Sequence, residues 1–199
     1  VAEYKLFTGD VPHVSTAAFH ADRERAPHLE QPVHRPRLEK AAEMALAAVE
    51  RLPETDRTVS DLGCGDGGLL SLLQAAGVDC WGYDFQPSNQ AGWNDRGVQG
   101  FPLDVFGADR NLVSFGMVAV CTEVLEHLAD PHGVVRWIGA NALFLVASSP
   151  WNETPASHDE CHAWAWDHDG YRALIEQGGY RVLRHETVGQ FQIILGERQ

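Results

Sequence analysis

The sequence has no closely spaced cysteine pair. Its four cysteines, Cys64, Cys80, Cys121 and Cys161, stand singly, which argues against a zinc knuckle or a small disulfide-stapled framework. Reduced, mostly buried thiols are expected instead. Long apolar runs are missing as well. Runs such as LFLVA at 143–147 are far shorter than the roughly 20 residues a membrane-spanning helix needs. The first twenty residues carry Glu3, Lys5 and Asp10 and no apolar stretch. Neither a signal peptide nor a membrane partner is therefore expected, and the expected location is cytoplasmic. Basic residues are scarce: 15 Lys and Arg face 28 Asp and Glu, for a net charge of −13. Such a surface repels phosphate backbones at long range. The densest basic stretch, HRPRLEK at 34–40, is too small to reverse this. A small-molecule partner is favoured over nucleic acid.

Internal repeats and low-complexity tracts are also absent, and 199 residues suit one self-sufficient core. Residues 1–35, with Pro12, Pro27, Pro32 and four histidines, read as an irregular arm preceding a domain at 36–199. Strong helix formers fill 37–52, with Pro36 suited to the first turn and Pro53 as a stop. Strands and helices then alternate. TVSDL (58–62), VDCWGYD (78–84), VQGFPLDV (98–105), MVAVCT (117–122) and NALFLVASS (141–149) read as strands. GLLSLLQAAG, a segment capped by Asp130-Pro131, and GYRALIEQGG (170–179) read as helices. YRVLRHETV and FQIILGE, joined at Gly189-Gln190, read as a terminal hairpin. This order predicts an open, largely parallel α/β sheet, whose ligands bind beyond the carboxyl ends of the strands.

The stretch VSDLGCGDGG (59–68) sets Gly63, Gly65 and Gly68 in a GxGxxG frame between a strand and a helix. Glycines there let the backbone turn sharply and approach a ligand closely. Asp84 ends the next strand, where a carboxylate can accept both hydroxyls of a ribose. An adenosine-containing cofactor follows. Asp61, two residues before Gly63, and Asp66, inside the turn, suit a ligand carrying an ammonium and a sulfonium and would repel a pyrophosphate. A nicotinamide-binding protein or a non-catalytic cofactor module is the alternative.

On these residues the sequence resembles the class I S-adenosylmethionine-dependent methyltransferases. DLGCGDGG is similar to their first motif, GYD to their second, PLDV to the segment whose Asp contacts adenine, and VCTEVLEHLADP to the fourth-strand motif of their EVLEH branch. The resemblance spans about 57–197. It implies a Rossmann-like, doubly wound, mostly parallel seven-stranded sheet with the last strand antiparallel. The N-terminal helix would lie over the substrate side. S-adenosylmethionine would contact Asp61, Gly63, Cys64, Gly65, Asp84, Phe85, Asp104, Val105 and Thr122. The implied activity is methyl transfer to a small-molecule acceptor, with a hydroxyl oxygen favoured over nitrogen.

On a helix starting near 123, Glu123, Glu126 and His127 would share one face, beside the methyl group in this family. His162, followed by Ala-Trp-Ala-Trp-Asp, is similar to a segment of the metal-dependent small-RNA 2′-O-methyltransferases. That similarity implies a cage of Glu123, Glu126, His127 and His162 around a divalent cation such as Mg or Mn. It opens an alternative acceptor, the 3′ ends of RNA. Without a metal, Glu123, His127 and His162 are the candidate catalytic residues, either histidine acting as general base, and Glu126 can pair with His127 or cap backbone. HDECH at 158–162 lacks the helix and glutamate placement of a zincin, though His158 can help line the site. Trp151, Trp164 and Trp166 are expected as an aromatic wall, at least one of them in the core. The fourth strand does not end in Asn/Asp-Pro-Pro-Tyr, and Cys121 follows valine rather than proline, which disfavours amines and C5 carbons of DNA bases.

Overall fold

Alternation of β-branched runs with leucine- and alanine-rich stretches yields a sheet covered by helices on both faces. The computed structural model describes residues 1–199, apart from the side chains of Ser15 and Ala17. The N-terminal arm holds β1 (Glu3–Lys5) and one helical turn, α1 (Ala17–His20). Next come α2 (Arg35–Val49), β2 (Thr58–Leu62), α3 (Gly68–Ala75), β3 (Asp79–Tyr83) and α4 (Asn89–Arg96). They are followed by β4 (Gly100–Phe101), β5 (Val118–Thr122), α5 (Pro131–Asn141) and β6 (Phe144–Pro150). The chain ends in β7 (Trp164–Trp166), α6 (His168–Gln177), β8 (Tyr180–Val188) and β9 (Phe191–Arg198).

Seven strands pair in the order β4-β3-β2-β5-β6-β9-β8, and only β9 runs against its neighbours, β6 and β8. The predicted Rossmann-like sheet with a reversed last strand is therefore present. β2 sits between β3 and β5, so strand order reverses at its carboxyl end. A ligand crevice forms at such a point. On one face α2 and α3 bury Met44, Ala45, Leu70 and Leu73; on the other α5 and α6 bury Val135, Ile138, Leu174 and Ile175. Leu70 and Ile138 have no exposed surface. Truncating either to alanine would cost about 2–5 kcal/mol.

Local chemistry sets the boundaries. Pro36 occupies the first turn of α2, and the Asp130 carboxylate accepts the Gly133 N–H at 2.8 Å to start α5 behind Pro131. The β8–β9 hairpin turns at Gly189 with φ 59°. Three expectations shift. The strand read over 98–105 shrinks to Gly100–Phe101, because Pro102 follows and the chain leaves the sheet. No helix begins near 123: a single 3-10 turn, Leu125–His127, precedes extended backbone at Leu128. The arm, read as irregular, carries β1, which pairs antiparallel with β7, Tyr4 opposite Ala165.

Candidate active site

The glycine turn after β2 is fixed from three sides. Gly63 and Cys64 donate their N–H groups to Tyr83 O at 2.8 and 3.0 Å, Gly65 N–H goes to Asp84 Oδ2 at 3.0 Å, and Trp93 Nε1 donates to Gly65 O at 2.8 Å. Gly63 has φ 83°, and a Cβ there would fall 2.5 Å from Val124 Cγ2, so this position admits only glycine without rearrangement. Gly65, φ 54°, faces open space instead. A ligand can approach its backbone.

The three acids near this turn do different work. Asp84 uses Oδ2 on Gly65 and Oδ1 on Gln86 N (2.8 Å) and Asn89 Nδ2 (3.1 Å). Burial raises its pKa in spite of these donors. Asp61, 2% exposed, leaves Oδ1 buried without a partner. Burial, reinforced by the charge of Asp84 and opposed by Arg37, lifts its pKa to about 7. Asp66 was read as a contact for a cationic ligand, and here the structure differs. Its carboxylate pairs with Arg96 Nη2 at 2.7 Å and Arg25 Nε at 3.2 Å, and accepts the Gly68 N–H. Already neutralised, it ties the arm to the turn.

A cavity of about 580 Å³ opens at the carboxyl ends of β2, β3 and β5, within the range of small-molecule sites. Every residue expected to touch the donor lines it: Asp61, Gly63, Cys64 and Gly65 below, Asp84 and Phe85 beside β3, Asp104, Val105 and Thr122 on the far wall. Burial pushes the Cys64 thiol well above its ordinary pKa, so it is packing rather than a nucleophile. The roof comes from the arm. His20 sets Nδ1 3.1 Å from Gln86 Oε1 and its ring 4.6 Å from Phe85. The anticipated tryptophan wall is elsewhere. Trp166 is fully buried and donates to Glu3 Oε2, Trp164 stacks on it, and Trp151 stacks on His168. Phe19, Phe85 and Phe106 line the cavity in their place.

At the exit of β5, Glu123 has φ 56° and is the one left-handed non-glycine among the described residues. Its N–H reaches Ser148 O at 3.0 Å, and its Oε1 accepts from Ser148 Oγ at 2.7 Å. These bonds hold a conformation that costs about 1–2 kcal/mol. The sharp bend, rather than a helical face, turns Glu126 inward. Glu126 is 1% exposed with both carboxylate oxygens lacking partners, and burial, then the charge of Glu123, raises its pKa strongly. One ligand atom each from Glu126, His127 and His162 lie within 4.8 Å of one another. Glu123 stays outside this group, so the structure brings together three of the four residues expected to surround a cation.

Both histidine tautomers follow from their partners. His127 Nδ1 lies 2.9 Å from Cys161 O, which can only accept, so Nδ1 carries the proton and Nε2 the lone pair. Burial lowers its pKa to about 4. His162 Nδ1 lies 2.6 Å from Glu153 Oε2, which likewise assigns the proton to Nδ1. The two rings meet edge to face at 4.9 Å. His127 lines the main cavity, whereas His162 and His158 line an adjoining one of about 400 Å³. Val11, Val14 and Cys161 border both. Sequence reasoning missed Glu153, Asn89, Gln86, Arg37 and His20. Only Glu153, within the SSPWNETPASHDECH segment, lay near a motif.

Known structures share this fold. A magnesium protoporphyrin IX methyltransferase from Synechocystis PCC 6803, solved with bound S-adenosylmethionine, aligns over 83% of this chain and 80% of its own, at 17% identity and TM-score 0.65. The 1,6-didemethyltoxoflavin-N1-methyltransferase of Burkholderia thailandensis, solved with its substrate and S-adenosylhomocysteine, aligns over 81% and 78%, at 14% identity and TM-score 0.65. A mitomycin 7-O-methyltransferase aligns over 81% of this chain and 54% of its own, at 18% identity and TM-score 0.60. No curated protein matches the sequence. The fold is thus that of the Rossmann-like methyltransferases. The chain belongs to the methyltransferase-domain family, whose model matches residues 34–191, and is an S-adenosylmethionine-dependent methyltransferase. The unpartnered, buried Asp61 Oδ1 beside an open glycine backbone suits the ammonium of that donor.

Proposed function

We propose that the protein methylates a hydroxyl oxygen of a small-molecule acceptor. The residues that would hold the donor line the larger cavity: Asp84 for its ribose, Phe85, Asp104 and Val105 for its adenine, Asp61 and Gly63 for its amino-acid end. The acceptor occupies the smaller cavity, its hydroxyl facing the shared border at Cys161. When bound, S-adenosylmethionine supplies an electrophilic methyl on sulfur. Holding the acceptor oxygen in line with it provides much of the acceleration. The observation that carries the choice of oxygen is the Glu153–His162 pair. Donating Nδ1–H to a carboxylate leaves Nε2 as an oriented acceptor for the hydroxyl proton. His127, with its pKa near 4, is too weak a base and orients His162 through ring contact. The net charge of −13 supports a small acceptor over RNA.

A second reading has its own observation. His127 and His162 donate Nδ1–H to a carbonyl and a carboxylate, the pattern of metal-ligating histidines, next to a Glu126 carboxyl that lacks partners. Glu126, His127 and His162 would hold a divalent cation, which would acidify and orient a nearby hydroxyl. Labelled donor and a panel of small phenols, alcohols and amines separate the outcomes. O-methyl products that survive EDTA, together with a roughly 10²–10⁴-fold loss in His162→Gln, support the first reading. Loss of activity in EDTA with recovery on adding Mn or Zn supports the second. N-methyl products alone would overturn the choice of oxygen.

A further inference from the structure

The loop between β6 and β7 is tied to a single shape from Glu153 to His162. Glu153 accepts from both sides, Oε1 taking the Asp159 N–H at 2.9 Å and Oε2 facing His162 Nδ1 at 2.6 Å. Asp159 Oδ1 accepts the Cys161 N–H at 2.8 Å. The Asp159 carbonyl then accepts twice, from the His162 N–H at 3.0 Å and from His158 Nδ1 at 2.8 Å. A carbonyl can only accept, so His158, like His162, carries its proton on Nδ1 and its lone pair on Nε2. Neither Nε2 bonds to another group among the described residues.

Two oriented acceptors thus stand on one turn at the wall of the smaller cavity, and Glu160 adds a carboxylate, which also accepts. Among the described residues no lysine or arginine lines this cavity. Lys5 lies over the Phe7 ring at 4.3 Å, and Arg23 borders the main cavity instead. The arm supplies apolar lining through Leu6, Phe7 and Val14. Complementarity follows from these groups. A wall of acceptors calls for donors, and a carboxylate or phosphate brought there would be desolvated with no cation to meet it. A lone imidazole base removes a phenolic proton, pKa about 10, far more readily than an aliphatic one, near the roughly 15.7 of water.

We propose that the acceptor is an aromatic ring with two hydroxyls and no anionic group, one hydroxyl at His162 Nε2 and the other donating to His158 Nε2, its apolar body against Leu6, Phe7 and Val14. This deepens the oxygen reading above and rests on it. At His162 the hydroxyl oxygen gains the methyl as the carbon–sulfur bond of the donor breaks, and its proton passes to Nε2. His158 touches only the second hydroxyl. It is a specificity-determining residue that selects dihydroxylated rings over single phenols.

Calorimetry on the S-adenosylhomocysteine-loaded protein, and turnover with labelled donor, compare phenol, catechol, resorcinol and 3,4-dihydroxybenzoate. EDTA is present throughout, so that a bound cation cannot supply the preference. One further neutral hydrogen bond implies that catechol or resorcinol binds about 3–10-fold more tightly than phenol, with the same ratio in kcat/KM. The benzoate should fall at least about tenfold below catechol. His158→Leu should bring the ratio of the dihydroxy compound to phenol to about one, through KM. His158→Gln, which keeps an acceptor, should fall between. Catechol and resorcinol binding no tighter than phenol, no binding of any probe, or a benzoate that binds best overturns the inference, and none of these needs a variant to fold. So does an undiminished ratio in His158→Leu. The expected binding ratios with methylation of amines alone would instead sink the oxygen reading, and the inference with it.

Discussion

Lowering the pH from 8 to 6 should weaken S-adenosylhomocysteine binding about tenfold, through one group. Asp61 is buried, lacks a partner on Oδ1, and has its pKa raised to about 7 by burial and the charge of Asp84. Only its carboxylate form can pair with an ammonium, so ligand binding pulls the pKa below that of the free protein. The sign follows. Below pH 7 the free protein holds a proton that binding must expel, and affinity rises with pH through 7 and then levels. With a free pKa of about 7, the ionised fraction is roughly 0.1 at pH 6 and 0.9 at pH 8, a tenfold ratio equal to about 1.4 kcal/mol. The buried His127, with a pKa near 4, does not titrate in this window. Calorimetry in two buffers of different ionisation enthalpy reads both affinity and proton release, with about 0.9 proton leaving per site at pH 6. Asp61→Asn should flatten the profile. Constant affinity from pH 6 to 8, or an Asp61→Asn variant that keeps the slope, would refute the reasoning.

Three further predictions concern the scaffold of the site. Gly63→Ala should cost about 1–3 kcal/mol in denaturant unfolding, because the new Cβ lies 2.5 Å from Val124 Cγ2 at φ 83°; an unchanged midpoint would mean the turn relaxes freely. At Glu123, φ 56°, Glu123→Gly should be more stable than Glu123→Ala by about 1 kcal/mol, since both lose the Ser148 bond and only alanine keeps the strain. Equal thermal midpoints would remove the claim of strain. Arg96→Ala leaves Asp66, 3% exposed, with Arg25 alone and frees Glu30. It should cost about 3 kcal/mol and expose the arm to limited proteolysis; intact resistance would show that the arm is held by other contacts.

What was legible in the sequence was what depends on local chemistry. Alternating runs, the Asp130-Pro131 cap and the Gly189 turn specify their elements within a few residues, and the seven-stranded sheet with its reversed last strand is what the family resemblance implied. The glycine frame and Asp84 pointed to the cavity they line because both are contiguous in sequence with a strand end. What depends on distant partners stayed hidden. Spacing suggested a helical face for Glu123, Glu126 and His127, but the Ser148 bonds from β6 lock Glu123 left-handed and break that face. Asp66 looked like a ligand contact until Arg25 and Arg96 arrived from 41 and 30 residues away. Arg37 sat inside an unremarkable basic stretch, and only burial without a partner distinguishes it. The arm had no periodicity to read, since its strand is a three-residue ribbon with β7 and its roof residues act through single contacts.

The measurement that bears most directly on the account is binding of S-adenosylhomocysteine and NAD to wild type and to Asp84→Ala, followed by calorimetry at pH 8. Asp84 braces Gly65 and, in the proposed placement of the donor, would hold the ribose, so the variant should lose about 10–100-fold in S-adenosylhomocysteine affinity, while NAD binds neither protein. Undiminished S-adenosylhomocysteine binding by Asp84→Ala, or a wild-type preference for NAD, would contradict the placement of the methyl donor in this cavity.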